Sequence, residues 1–188
     1  MLNNFTKIYS PNFDIPKRSK NEIKYLILHY TGMKKEKSAL SRLTNFGSKV
    51  SCHYFISYSG EILNLVPDLY ISWHAGKSKW KGRSSFNSES IGIEISNPGH
   101  EHGYKAFNNK QIKCLIKISK NLLKNYKINP KNILGHSDIA PLRKKDPGEK
   151  FPWKLIASKK IGIWHKLNYK ECNKLRGQRI NIDWFKIS

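Results

Sequence analysis

The chain of 188 residues has the size of a single domain with a packed core, and 38% of its residues are hydrophobic. Lys and Arg number 35 against 13 Asp and Glu, and the net charge of +22 attracts polyanions such as nucleic acid, anionic lipid or an acidic wall polymer, although a coding bias towards lysine explains the same excess. The composition excludes a disulfide framework, because the three cysteines are widely spaced, and a helical membrane span, because no apolar run approaches roughly 18 residues.

Residues 1–22 are a polar N-terminal lead-in that is interrupted by Pro11 and Pro16. This segment has neither the basic start nor the apolar centre of a signal peptide. Together with the unpaired cysteines, the pattern predicts a cytoplasmic protein. The alternative is a periplasmic or wall-associated protein that is exported by a route the sequence does not reveal.

The first half of the remaining chain is predicted to combine short strands with one helix. Residues 24–30 are a continuous apolar run of strand length, which is typical of a strand buried on both faces. Residues 35–46 place apolar side chains at helical spacing, and residues 51–66 have the pattern of a hairpin. Residues 67–90 lack periodicity but contain several aromatic residues, which predicts a functional loop.

The clearest helix is predicted over residues 109–126, where one face is apolar and the opposite face carries lysines. Asn108 and Gln111 have the spacing of a capping box, in which each side chain accepts a hydrogen bond from a backbone N–H at the helix start. Phe107 and Ile112 have the spacing of a hydrophobic staple across the same helix start. The sequence therefore predicts where this helix begins.

The second half also contains two strands, a further helix and a basic tail. Residues 91–95 and 133–135 are short apolar strands, and residues 151–161 include a helix. Residues 163–188 are a basic C-terminal extension, packed on the domain or trailing from it, to which the sequence assigns no role. These elements predict a single α/β domain over residues 23–162, with a central mixed sheet and helices on both faces.

Three residues that lie far apart in the chain are candidate metal ligands. His29 ends an apolar run, His136 follows another, and Asp146 lies in a loop rich in proline and glycine. Two imidazoles and a carboxylate are good zinc ligands and leave one coordination position open. The alternative is that these residues have structural roles without a metal. A histidine at a strand end is more often a packed or surface residue, and an aspartate before a proline is typical of a turn.

Glu94 and Lys144 are candidate catalytic residues near such a metal. Glu94 is an acid within an apolar strand, and apolar surroundings raise the pKa of a carboxyl towards that of a useful general base. Lys144 lies two residues before Asp146, so an extended segment would direct both side chains the same way. The alternatives are that Glu94 pairs with one of many lysines and that Lys144 is a solvated charge.

Six blocks of the sequence resemble the zinc-dependent N-acetylmuramoyl-L-alanine amidases of the AmpD/AmiD type. The blocks are YLILHYT (25–31), VSCHY (50–54), WHAG (73–76), SIGIE (90–94), GHSDIAP (135–141) and RKKDPG (143–148). They follow the order of the family and cover about residues 24–155. The block around His136 and Asp146 is highly specific.

The resemblance implies that zinc is bound by His29, His136 and Asp146 and that Glu94 and Lys144 are the catalytic pair. It also implies hydrolysis of the amide bond between N-acetylmuramic acid, or its 1,6-anhydro form, and L-alanine of the stem peptide. Such an enzyme acts in peptidoglycan turnover or recycling. The implied partners are peptidoglycan or muropeptide fragments, and we expect a monomer that binds no nucleic acid.

Further positions of the family pattern suggest substrate contacts. Trp73, His74 and Asn87 are expected to line or shape the substrate groove, although His74 is explained equally well as a residue that braces a loop. His53 is expected to be structural, and His100 is expected on the surface because it matches no family position. The alternative functions are a non-catalytic peptidoglycan-binding module and, on charge alone, a nucleic-acid binder.

Overall fold

The structure is a computed structural model that describes residues 6–176, so the first five residues and residues 177–188 of the basic extension lie outside the described residues. The strands are β1 (Thr6–Lys7), β2 (Phe13–Asp14), β3 (Tyr25–Tyr30), β4 (Tyr54–Ile56), β5 (Ile62–Asn64), β6 (Ile71–Ser72), β7 (Lys79–Trp80), β8 (Arg83–Ser84), β9 (Ser90–Ile95) and β10 (Ile133–Gly135). The helices are α1 (Glu36–Thr44), α2 (Phe86–Glu89), α3 (Asn109–Tyr126), α4 (His136–Ile139), α5 (Trp153–Ser158) and α6 (Tyr169–Arg176).

A six-stranded sheet in the order β1-β5-β4-β9-β3-β10 forms the centre of the domain. All neighbours in this sheet are parallel except β4 and β5, which are the two strands of the predicted hairpin. The long strands β3 and β9 pair over six residues each and lie inside the sheet. The predicted mixed sheet is therefore confirmed.

Helices cover both faces of this sheet, as predicted. Because side chains alternate along a strand, Leu26 and Leu28 of β3 join the core cluster that contains Leu115 of α3 and Ile156 of α5. Tyr25 and Ile27 point to the opposite face and pack with Phe86 of α2 and Ile139 of α4. The helix α1 covers the hairpin end of that second face. His29 continues the second set and so lies on the face of α2 and α4.

The start of α3 confirms the predicted capping box. The Asn108 side chain accepts a hydrogen bond from the N–H of Gln111, and the Gln111 side chain accepts one from the N–H of Asn108. Phe107 and Ile112 are both buried in the core cluster of this face. Local sequence therefore determines the residue at which α3 begins.

The segment of residues 67–90 differs from the expected loop. It contains β6, which pairs antiparallel with β2, the small hairpin of β7 and β8, and the single-turn helix α2. These elements have two to four residues each, which is too short for a periodic pattern to be visible in the sequence. The helix α6 in the basic extension was not predicted either.

Within the part of the chain that the structure describes, no helix has both the length and the hydropathy that a membrane crossing requires. The predicted domain boundaries at residues 22 and 162 stay predictions.

Replacing Leu115 by alanine is expected to lower the free energy of unfolding by about 2–5 kcal/mol, because a fully buried side chain of α3 would leave a cavity against the sheet. Lys117→Ala, on the exposed face of the same helix, is the control and should change stability by less than about 0.5 kcal/mol. Urea unfolding followed by circular dichroism measures both. Equal effects of the two changes would contradict the placement of α3.

Candidate metal centre

The three candidate ligands meet at the carboxyl end of the central strands. Gly135 at the end of β10 pairs with Leu28 of β3, so the residues that follow them, His136 at the start of α4 and His29 within β3, lie at the same level. The loop after α4 returns Asp146 to this point, where its carbonyl accepts a hydrogen bond from the N–H of Ser137. Parallel pairing thus brings together residues that are 107 positions apart in the chain.

The ligand atoms converge closely. His29 Nδ1 lies 2.9 Å from His136 Nδ1 and 3.0 Å from Asp146 Oδ2, and His136 Nδ1 lies 3.1 Å from the same oxygen. The three residues are only 1%, 3% and 6% exposed. This is the one group of at least three His, Cys, Asp or Glu residues among the described residues whose ligand atoms lie within 4.8 Å of one another.

The chemistry of this donor set fits a cation. His136 Nε2 lies 3.0 Å from the carbonyl oxygen of Ala75, which can only accept, so Nε2 carries the hydrogen and Nδ1 presents a lone pair to the centre. Burial and, to a smaller extent, the nearby His136 lower the pKa of His29 to about 4 against the opposing effect of Asp146, so His29 is neutral at pH 7. Electron-rich atoms that face each other in this way suit a divalent metal ion.

Glu94 lies beside this centre because β9 pairs with β3 in a register that places Glu94 opposite His29. Its Oε2 is buried and has no hydrogen-bond partner among the described residues. Burial, helped by the negative charge of Asp146 and opposed by Lys144, raises the pKa of Glu94 to about 8. A carboxyl group with this pKa is poised to exchange a proton near neutral pH.

A pocket of about 450 Å³ opens over the centre. Its walls include four of the predicted catalytic and substrate-binding residues, namely Trp73, His74, Glu94 and Lys144, in addition to His136 and Asp146. The structure therefore gathers most of the residues that the sequence suggested into one cavity.

Asn87 and His74 are engaged with the protein itself. Asn87 does not line the pocket; its Oδ1 accepts hydrogen bonds from the backbone N–H groups of His74, at 3.1 Å, and Ala75, at 2.7 Å. His74 is buried, and its ring nitrogens lie 3.0 Å from His29 Nε2 and 3.1 Å from Ser90 Oγ. The bracing alternative for His74 thus has a structural basis, and contact of either residue with substrate stays a prediction.

Two features of the site were missed from the sequence. His100, expected on the surface, is partly buried and lines the pocket, because Tyr30 and Glu149 hold its ring: the Tyr30 hydroxyl lies 2.7 Å from Nδ1, and Glu149 Oε2 lies 2.9 Å from Nε2. Ser90 and Gly92 point to the same face of β9 as Glu94. The His74 ring packs on this face, in contact with both residues. Small residues at alternate positions of an apolar strand were the sequence signal for such packing.

Known proteins resemble this chain over the part that contains the candidate metal centre. Residues 19–149 match the Amidase_2 family, which is described as N-acetylmuramoyl-L-alanine amidase. The chain is 40% identical over 154 residues to the N-acetylmuramoyl-L-alanine amidase AmiD of Escherichia coli, a match that covers 76% of this chain and 55% of AmiD. It is 30% identical over 176 residues to the 1,6-anhydro-N-acetylmuramyl-L-alanine amidase AmpD of Haemophilus influenzae, covering 84% of this chain and 93% of AmpD.

A solved structure has the same fold. The Escherichia coli AmiD in complex with the substrate anhydro-N-acetylmuramic acid-L-Ala-D-gamma-Glu-L-Lys superposes with a TM-score of 0.73 and 35% sequence identity, over 88% of this chain and 68% of that one. The likeness extends over most of the domain that carries the candidate metal centre.

Replacing Glu94 by glutamine is expected to stabilise the metal-free protein at high pH. Because the pKa of Glu94 is raised from 4.5 to about 8 on folding, the folded state holds a proton that the unfolded state releases, and wild-type stability falls as pH rises through this window. Glutamine does not titrate, so the variant should be more stable by about 1–3 kcal/mol at pH 8.5 and similar at pH 4.

Denaturant unfolding across this pH range measures the difference. Glu101→Gln, at an exposed position on the pocket rim, is the control and should follow the wild type at every pH. A Glu94→Gln curve parallel to the wild type would contradict the burial of Glu94 Oε2 without a hydrogen-bond partner among the described residues.

Proposed function

Because this chain belongs to the N-acetylmuramoyl-L-alanine amidase family, we propose that it is a zinc-dependent amidase of peptidoglycan turnover or recycling. It hydrolyses the amide bond between N-acetylmuramic acid, or 1,6-anhydro-N-acetylmuramic acid, and L-alanine of the stem peptide. The observation that carries this proposal is the convergence of the His29, His136 and Asp146 ligand atoms within 4.8 Å, beside a Glu94 whose Oε2 has no hydrogen-bond partner among the described residues.

The substrate class is supported by the relatives and by the pocket. AmpD is named for the 1,6-anhydro compound, and the AmiD structure holds an anhydro-muramyl tripeptide. Arg42, Lys144 and Lys145 line the pocket, and a stem peptide with a γ-linked glutamate keeps a free α-carboxylate that such cations attract. We therefore assign muropeptide fragments as the substrates. The cytoplasmic location, the monomeric state and the lack of nucleic-acid binding stay predictions.

Zinc is the metal that two imidazoles and one carboxylate suit, with one coordination position left for solvent or substrate. When bound, it supplies a Lewis acid that polarises the scissile carbonyl and makes water more acidic. The protein contributes the geometry: His29 and His136 present their Nδ1 atoms, and Asp146 presents one carboxylate oxygen.

Glu94 acts as the general base. Its Oε2 is free of protein partners among the described residues and lies on the face of the sheet that carries His29, so it accepts the proton of the attacking water. The neutral acid then returns this proton to the leaving amine of L-alanine. A pKa raised by burial suits both halves of this transfer, since the same group must take up and release a proton near pH 7.

Lys144 provides positive charge in the wall of the same pocket. It is partly buried there and lies near enough to Glu94 to lower the pKa of that carboxyl. An ammonium group in this position stabilises the negative charge that develops on the carbonyl oxygen during attack. In this proposal, Glu94 as the base and Lys144 as the cation flank the scissile amide.

The proposal is tested by mass spectrometry of products from 1,6-anhydro-muropeptides and from intact sacculi. We expect release of free stem peptides that begin with L-alanine, and we expect a chelator to abolish the release and added zinc to restore it, because the ligand set is incomplete as a catalyst without metal. Binding of muropeptide without any cleaved product would favour the non-catalytic module instead.

Two variants separate metal binding from proton transfer. Glu94→Ala should retain one equivalent of zinc but lose cleavage by at least about 100-fold, which is the lower range for a positioned general base. His136→Ala should lose the metal itself. Elemental analysis and product release measure the two properties, and a Glu94→Ala enzyme with wild-type turnover would refute the assignment of the base.

A further inference from the structure

His74 lies directly behind the candidate metal centre, on the far side of His29 from the ligand atoms. Its ring packs on Gly92, where an added Cβ would lie 2.4 Å from the Cγ of His74. Gly92 pairs regularly with Ile27 in the sheet, so a glycine is needed here for space and not for an unusual backbone conformation. The absence of a side chain at Gly92 therefore leaves the space that the His74 imidazole occupies.

The hydrogen bonds of Ser90 determine which group donates in the contact between Ser90 and His74. Ser90 Oγ lies 2.5 Å from the carbonyl oxygen of Phe86 and 3.1 Å from His74 Nε2. A carbonyl can only accept, and a serine hydroxyl has one hydrogen. The hydroxyl therefore donates to Phe86, and Ser90 Oγ accepts the hydrogen bond that His74 Nε2 donates.

The donor and acceptor in the contact between His74 and His29 follow from this assignment. His74 is buried, and no carboxylate of the described residues forms an ion pair with it, so its ring is neutral, since an unpaired buried charge is costly. With the hydrogen on Nε2, its Nδ1 is an acceptor. His29 Nε2, which lies 3.0 Å away, must then be the donor. The remaining nitrogen of His29, Nδ1, keeps its lone pair for the metal.

We propose that His74 is a positioning residue for the metal centre: it accepts the Nε2–H of His29 and so holds that imidazole in the tautomer and orientation whose Nδ1 lone pair binds the metal. This role rests on the proposed zinc-dependent function. It extends to the neighbouring residue, because the carbonyl of Ala75 accepts the Nε2–H of His136 at 3.0 Å.

The dipeptide His74-Ala75 thus orients both imidazole ligands. Asn87 holds the dipeptide in place through its two accepted backbone hydrogen bonds, and Arg143 donates to the Ala75 carbonyl at 2.8 Å. Partners that hold the outer nitrogen of a metal-bound histidine fix its tautomer and raise its affinity for the metal. If His74 only filled space, any side chain of the same shape would replace it.

A matched pair of variants distinguishes these roles. Leucine and asparagine have the same branched shape, but only asparagine places an acceptor oxygen where His74 has Nδ1. His74→Leu should weaken zinc affinity by about 10- to 100-fold, measured by competition with a chromophoric chelator, and His74→Asn should recover most of that loss. Equal affinity losses in the two variants, or an unchanged affinity in His74→Leu, would overturn the proposal.

A second measurement does not depend on the folding of a variant. Long-range ¹H–¹⁵N correlation spectra of the zinc-free wild-type protein should show His29 and His74 both protonated on Nε2, whereas a hydrogen on Nδ1 of His29 would overturn the proposal. Zinc analysis of the wild type is separate: a protein that binds no zinc would refute the proposed function, while the spectra would still decide the direction of the hydrogen bonds.

Discussion

The parallel pairing of β3 with β9 on one side and β10 on the other is the constraint on which the site depends. Parallel strands end at the same edge of a sheet, and the loops that follow them meet there. His29, Glu94 and His136 come from these three strands or directly after them, so one set of backbone hydrogen bonds fixes the spacing of a ligand, a base and a second ligand. Only Asp146 and Lys144 depend on a loop, and the hydrogen bond from Ser137 to the Asp146 carbonyl ties that loop to α4.

The electrostatics of the metal-free site lower the stability of the protein. Three electron-rich atoms face one another at 2.9–3.1 Å, and Glu94 keeps an oxygen without a partner among the described residues, in a chain that has 35 cationic residues. An isolated buried acceptor lowers stability, so the surrounding core must supply the difference. The apolar packing of α3 and α5 on the opposite face of the sheet contributes to it.

Support for the ligands comes from small residues as much as from polar ones. Ser90, Gly92 and Glu94 alternate on one face of β9, and the three contribute differently. Ser90 accepts a hydrogen bond from His74, Gly92 leaves space for the His74 ring, and Glu94 supplies a carboxyl group beside His29. The residues expected to bind substrate therefore have two different positions. Trp73 stands in the pocket wall, whereas Asn87 holds the backbone that orients the ligands.

The sequence by itself determined the elements whose signals are local: the apolar runs that become β3 and β9, the capped helix α3, and the motif blocks that identify the candidate ligands and the candidate catalytic pair. Tertiary structure decided what no local pattern contains. The two-residue strand β6 is formed by a partner elsewhere in the chain, and His100 is drawn into the pocket by Tyr30 and Glu149. The orientation of His29 likewise depends on His74, 45 positions away, because hydrogen-bond direction is a property of groups that only folding brings into contact.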